Sequence, residues 1–290
     1  MHEKYTVTAV VTTYKRKWRQ IERAITSIIR QSYPVTEILL IDDNVLSNAS
    51  DSGKIAENEF TADIKKESLR FREVTYISMG GNQGVGAARN RAISLAKGDL
   101  IGFLDDDDEW KEDKIEKQVR MFERDPELGL VFGLGKIFYD DTGKTSALWQ
   151  ESIFKEKPLF QDMLWGDYVG SASQPLMKAD LLRKLGGFNP DRKAAVEDYE
   201  LWIRISKESR IWGTPDILYI KHMDQGEHIS TSNDRVLRGY LRIYEEFRNE
   251  YDKNILAKRH ILRNIVRVGV KSRNPEVLPY IFRWVRTYFF

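Results

Sequence analysis

The first half of the chain alternates two hydrophobic rhythms. Tyr5 to Val11 is a β-branched apolar run of the kind that forms a buried strand. Trp18, Ile21, Ile25, Ile28 and Ile29 then recur at helical spacing, and Pro34 stands beyond them. Glu37 to Ile41 predicts a second strand and Val74 to Met79 a third. Gly84 opens a helix that carries Val85, Ala88, Ala92 and Ile93 on one face, with Gly98 as its stop. Leu100 to Leu104 is a fourth strand running straight into an acidic cluster. Strands and helices alternating at this spacing predict right-handed crossovers and an α/β fold with a mainly parallel, Rossmann-like sheet flanked by helices.

The middle of the chain is less regular. Ile115, Val119 and Phe122 suit an amphipathic helix, and Leu130 to Gly133 and Ile137 to Tyr139 read as two strands before a turn at Asp140 to Gly143. Ala179 to Leu185 predicts a short helix ended by Gly186 and Gly187, and Glu197 to Ile205 another. Beyond Ser232 the pattern is helical and basic, with a break near Asn274-Pro275. The expected organisation is one domain over residues 1–232, with a nucleotide-binding half (1–110) and an acceptor half (111–232), followed by a helical extension over 233–290.

Composition narrows the function classes. In 290 residues, apolar side chains make up 41 % and charged ones 31 %, as in a globular protein rather than a disordered one. The net charge of +2 argues against a dedicated nucleic-acid binder. Without cysteine there are no disulfides and no thiolate metal sites. The first residues lack a signal-peptide pattern, and no apolar run reaches the ~20 residues that span a bilayer. The expectation is a cytoplasmic protein, soluble or peripheral at the inner face of the membrane. Nothing in the pattern indicates an oligomeric state.

Polar residues gather where the predicted strands end, which is where open parallel sheets bind ligands. The first strand leads into Thr12, Thr13, Tyr14, Lys15 and Arg16, the second into Asp42, Asp43 and Asn44, and the fourth into Asp105, Asp106, Asp107, Asp108 and Glu109. Four adjacent aspartates repel one another and cost stability unless a cation neutralises them. The run is either a solvated acidic turn or a metal site, and its place directly after a buried strand favours the metal. Carboxylate oxygens select a hard cation such as Mg²⁺, Mn²⁺ or Ca²⁺, and such a site suits a nucleotide diphosphate. Gly80 to Asn90 is a glycine loop entering a helix, where backbone N–H groups can take phosphate. It fails as a dinucleotide fingerprint, because Arg89 stands where the third glycine belongs. Arg89 suits either a phosphate contact or a structural ion pair. Glu197 and Asp198 fall at a helix start, where carboxylates serve as plain N-terminal partners or, in the functional reading, Asp198 serves as a general base.

These motifs, taken in order, resemble the family 2 inverting glycosyltransferases of GT-A fold. The resemblance rests on Val10 to Tyr14, Ile41 to Asn44, Asn82 to Asn90, Gly98 to Asp108, Gly186 to Asn189 and Glu197 to Trp202, and it covers roughly residues 5 to 230. It implies that Thr12, Tyr14 and Asp43 hold the base and ribose of a nucleotide-sugar donor, usually a uridine diphosphate sugar. Arg89 would lie near the donor. Asp105 to Asp107 match the "DxD" element that binds Mn²⁺ or Mg²⁺, with Asp107 and Asp105 as ligands and Asp106 nearer the ribose. Asp198 matches the base of a single in-line, inverting displacement onto a hydroxyl of a glycan or lipid-linked saccharide acceptor. The family often has a small residue where this chain has Asp106. A downstream histidine sometimes assists, and His222 and His228 compete for that place, with Glu197 a further accessory candidate.

Two other classes stay open at this stage. A sugar nucleotidyltransferase also uses a parallel sheet and a metal, but it wants a glycine-rich loop after the first strand, and Thr12 to Arg16 has no glycine. A non-catalytic binding scaffold would keep the fold with no turnover to lose at Asp198. The C-terminal segment mixes Arg259, Arg263, Arg267, Lys271 and Arg273 with apolar residues and ends in an aromatic run, which suits either a membrane-surface helix or a helix packed on the domain.

Overall fold

The computed structural model describes residues 5–44, 59–147, 149–223 and 232–289. Four strands alternate with three helices at the start: β1 (Val7–Thr13), α1 (Trp18–Ile29), β2 (Glu37–Asp42), α2 (Glu59–Ser68), β3 (Val74–Ser78), α3 (Val85–Leu95) and β4 (Leu100–Asp105). Then follow β5 (Glu109–Trp110), α4 (Lys114–Arg124), β6 (Leu128–Tyr139), β7 (Thr145–Ala147), α5 (Phe160–Trp165), β8 (Leu176–Lys178), α6 (Ala179–Lys184), α7 (Glu197–Glu208) and β9 (Arg210–Met223). The C-terminal part is α8 (Asn233–Glu246), α9 (Arg248–Lys253), α10 (Ile255–Lys271) and α11 (Leu278–Arg286). The sheet order is β3-β2-β1-β4-β8-β6-β9-β5, with β7 beside β6. Pairings among β1 to β4 and between β6 and β9 are parallel, while β8, β5 and β7 join antiparallel.

The apolar runs of β1, β2 and β4 are continuous because both faces of the sheet are covered. Alternate residues enter different layers. Val10, Leu39, Ile41, Ile101 and Phe103 join the core that holds α3, α6 and α7. Val7, Val11, Ile38, Leu40 and Leu104 join the one that holds Ile21, Ile25 and Ile28 of α1 and Ile115, Val119 and Phe122 of α4. Register places the chemistry on one edge: Thr13 lies opposite Asp42, Thr12 opposite Asp105, and Asp42 opposite Ser78.

The structure revises several expected elements. Leu130 to Gly133 and Ile137 to Tyr139 are parts of the single strand β6. Gly133 and Gly135 break its apolar pattern, and the pairing with β9 shifts register at that point. The long strand β9 has no alternating signature because it contains Gly213 and Pro215. Its ladder steps from Thr214 to Ile217, so a bulge takes the proline that cannot donate to a neighbour. The helix after Gly84 stops at Leu95, before Gly98. The break expected near Asn274-Pro275 is there: α10 ends at Lys271, and the Asn274 side chain accepts from Glu276 N at 2.9 Å to start a short 3₁₀ turn.

The C-terminal helices continue the core. Leu237, Ile243, Ile261, Leu262 and Ile265 pack in the same cluster as Trp202, Phe188 and Phe103. Gly239 of α8 lets that helix press on the loop before α7, since a Cβ there would stand 2.0 Å from Ala195 O and 2.5 Å from Val196 Cγ2. In a free helix Gly→Ala stabilises by about 1 kcal/mol. At this position the sign is expected to reverse. Gly239→Ala should lose about 1–3 kcal/mol through overpacking, read as a lower urea midpoint at unchanged slope. A raised midpoint would mean that α8 does not seat this way.

Candidate active site

The site begins with the loop after β1. Lys15 takes a left-handed backbone (φ 54°), and its N–H donates to Asn44 Oδ1 at 2.8 Å. A non-glycine residue in this region costs energy and is held by its surroundings. Thr12 and Tyr14 are half-buried beside it. Asp42 accepts from Tyr76 Oη at 2.8 Å and from Asn44 Nδ2 at 2.6 Å, which anchors the end of β2. Asp43 is buried and accepts from the backbone N–H groups of Gln83 (2.7 Å) and Gly84 (2.8 Å). Burial raises its pKa against the opposing pull of those two bonds. The amides of the glycine loop, read from sequence as a phosphate cradle, are thus aimed at Asp43.

The four aspartates after β4 divide by role. Asp108 is 1 % exposed and accepts from Ser173 Oγ at 3.0 Å, while its N–H donates to Asp105 O at 3.0 Å, so it folds the run into a turn. Burial, then the neighbouring Asp105, hold its carboxyl well above the usual range, and Lys221 opposes this. Asp106 is buried and pairs with Arg16 Nε at 3.0 Å. Burial and then Asp107 push it up to about 7. Asp107 pairs with the same Arg16 through Nη2, and Arg23 Nη2 donates to Asp107 O at 2.6 Å. Asp105 is the most open of the four, with 30 % of its side chain exposed.

Arg89 joins this cluster to the start of α7. The guanidinium is 5 % exposed and lies over the Phe188 ring, 5.0 Å from its centroid. One arm donates to Asp105 at 2.8 Å and the other to Glu197 at 3.0 Å. Of the two readings offered for Arg89, the ion pair is the one seen: the guanidinium bridges the carboxylates of Asp105 and Glu197. Next to Glu197, Asp198 accepts from the N–H of Tyr199 at 2.8 Å. Its carboxyl is pushed up to about 7, first by burial and then by Glu197. The residue before them, Val196, has φ 60° and ψ 30°, a left-handed conformation that a β-branched side chain resists. Strain of that kind concentrates where a side chain must be aimed.

Two members of the site have no sequence signal. Asp167 accepts from Val169 N (3.1 Å) and Gly170 N (2.8 Å) and is pushed up to about 8 by burial and then by Asp198. Lys221, on β9, is raised: burial lowers it, but Asp108, Asp105, Asp107 and Asp198 together outweigh that. Neither sits in a motif, and only the folding of β9 and the segment after α5 against the strand ends brings them here. His222 is drawn elsewhere. Its Nδ1 meets Asp140 Oδ1 at 2.8 Å and its Nε2 lies 3.4 Å from Glu109 Oε2. Burial pulls its pKa down, and the bonds to Glu109 and Asp140 raise it further than burial lowers it. His228 lies outside the described residues.

Among the described residues no group of three or more acidic or histidine side chains is arranged to hold a metal by itself. The donor chemistry at Asp105 and Asp107 nonetheless suits a hard divalent cation, and Asp108 keeps one buried carboxylate oxygen without a hydrogen-bond partner. A cation held by two carboxylates needs further oxygens, which a diphosphate and water supply.

The family model described as "Glycosyl transferase family 2" matches residues 8–186. The chain belongs to glycosyl transferase family 2. This glycosyltransferase is 24 % identical over 251 residues to WcaA of Escherichia coli (strain K12), a glycosyl transferase whose name assigns it provisionally to colanic acid biosynthesis; the match covers 84 % of this chain and 83 % of WcaA. It is 25 % identical over 271 residues to WfgD of Escherichia coli, named a UDP-Glc:alpha-D-GlcNAc-diphosphoundecaprenol beta-1,3-glucosyltransferase, covering 92 % of this chain and 95 % of WfgD. The crystal structure of S. aureus TarS 1-349 in complex with UDP-GlcNAc superposes with a TM-score of 0.70 at 18 % identity, covering 97 % of this chain and 79 % of that one. That likeness establishes the GT-A fold.

The buried carboxyls set a pH dependence. Asp106 and Asp198 stand at about 7 and Asp167 at about 8, all above the ordinary 3.8. Such groups hold more protons folded than unfolded, so their contribution is full below the unfolded value and is lost as pH rises through the folded one. The thermal midpoint is expected to fall between about pH 6 and 8, and Arg89→Met, which removes a counter-charge, should steepen the fall. Scanning calorimetry that finds the midpoint rising over this interval would contradict the placement of these groups.

Proposed function

We propose that this glycosyltransferase moves a sugar from a uridine diphosphate donor to a hydroxyl of a glycan or lipid-linked saccharide, with inversion at the anomeric carbon and Asp198 as general base. The observation that carries the reading is the Arg89 bridge, which couples Asp105 at the donor edge to Glu197 beside Asp198. WfgD, named for UDP-Glc and a diphosphoundecaprenol acceptor, and the TarS complex with UDP-GlcNAc support the donor and acceptor classes. A cytoplasmic site of action accords with it.

In this reading Thr12, Tyr14 and Asp43 take the base and ribose. Asp105 and Asp107 would hold Mn²⁺ or Mg²⁺, which when bound supplies positive charge to the departing diphosphate. Asp107 is paired with Arg16, so a cation there would replace one positive partner with another. Lys221 adds charge on the same side. The acceptor hydroxyl gives its proton to Asp198 Oδ as its oxygen bonds to the anomeric carbon. The bond from that carbon to the diphosphate breaks, and its electron pair leaves with the diphosphate. A base near neutrality combines ionisation with proton affinity, and Asp198, at about 7, meets that condition.

Isothermal titration with UDP, GDP, dTDP and CDP, each with and without Mn²⁺, tests the donor. UDP is expected to bind, and binding should vanish with EDTA and in Asp107→Ala. Asp198→Asn should keep UDP affinity within about threefold and lose about 10²–10⁴ in kcat. Retained turnover in that variant would remove Asp198 as the base, and no metal-dependent binding of any of the four nucleotides would remove the acidic run as the donor site.

A further inference from the structure

Among the described residues the outer face of the C-terminal helix pair has no partner. α11 is anchored from beneath: Tyr280, Ile281 and Trp284 pack on the core, and Arg259 of α10 donates to Thr287 O at 2.5 Å and covers the Tyr288 ring at 4.1 Å. On the opposite side Leu278, Phe282, Val285 and Phe289 form one stripe at i, i+4, i+7 and i+11, exposed by 57, 74, 44 and 73 %. Val270 and Leu256 of α10 are exposed as well, at 59 and 63 %, on the helix face opposite its buried residues Ile261, Ile265 and Val268. Soluble proteins seldom leave such a continuous stripe uncovered.

Charge selects what covers it. Residues 253–290 contain nine Lys and Arg against the single acidic Glu276, a net +8, whereas the whole chain is +2 and the remainder therefore −6. Arg263, Arg267, Lys271, Arg273 and Arg286 are all exposed on this hairpin. A second copy would set +8 against +8. An anionic bilayer satisfies both features, since acyl chains accept the apolar stripe while Arg and Lys extend to the headgroups.

We propose that the outer face of α10 and α11 docks on an anionic lipid surface. The inner side of the same hairpin shares its core with Tyr199, Leu201 and Trp202 of α7, the helix that begins at Glu197 and Asp198. The surface itself rests on exposed residues alone and stands or falls apart from the donor reading.

The test is co-sedimentation of the full chain, without nucleotide, with vesicles of phosphatidylcholine alone or mixed with phosphatidylglycerol. Binding to the anionic vesicles is expected, weakened by high salt, with little on phosphatidylcholine. Phe282→Ser with Phe289→Ser should cut the partition coefficient at least about tenfold at an unchanged thermal midpoint. Leu69→Ser, at a residue 79 % exposed in the turn after α2, should leave it unchanged. No preference for anionic vesicles, or equal partition of the double variant, overturns the proposal. A solution dimer dissolved by the same pair of substitutions, or RNA binding without vesicle binding, overturns it in favour of those partners.

Discussion

Negative charge is crowded at one edge of the sheet, and the structure depends on how that charge is held. Asp105, Asp106, Asp107 and Asp108 leave β4 together, and Glu197, Asp198 and Asp167 arrive from elsewhere in the chain. Arg16 pairs with two of them, Arg89 spans two others and Lys221 faces the group from β9. Each of these cations comes from a different element. The protein interior is a poor solvent for unpaired charge, so the cluster persists only because distant segments deliver counter-charges to it.

That arrangement also explains why the cluster is poised for chemistry. Carboxyls raised toward neutrality change protonation near neutral pH, and perturbed groups of this kind gather at functional sites. Val196 and Lys15, both in left-handed conformations without being glycine, flank the two halves of the site. The rigid layers on either side of the sheet hold these strained turns in place, one by way of α1 and α4, the other by way of α3, α7 and the C-terminal helices.

The C-terminal helices have two tasks on two faces. Their inner residues complete the core around Trp202 and so support the helix that carries Asp198. Their outer residues form an apolar and basic surface that the fold does not need. A helix can do both because its residues repeat every 3.6 positions and opposite faces are independent.

The amino-acid sequence alone determined the parallel half of the sheet, the strand-end position of Asp43 and Asp105 to Asp108, and the helix start at Glu197 and Asp198. These are local matters: continuous apolar runs mark strands buried on both faces, and polar residues must follow where the strand leaves the core. The tertiary structure decided the rest. β9 was hidden by Gly213 and Pro215, and it had to pair with β6 before Lys221 could reach the acidic cluster. The glycine loop was aimed at Asp43, His222 was drawn to Asp140 and Glu109, and Arg89 became a bridge 16 residues from one partner and 108 from the other. Electrostatic partners separated by such distances along the chain meet only through packing, and no spacing in the sequence records them.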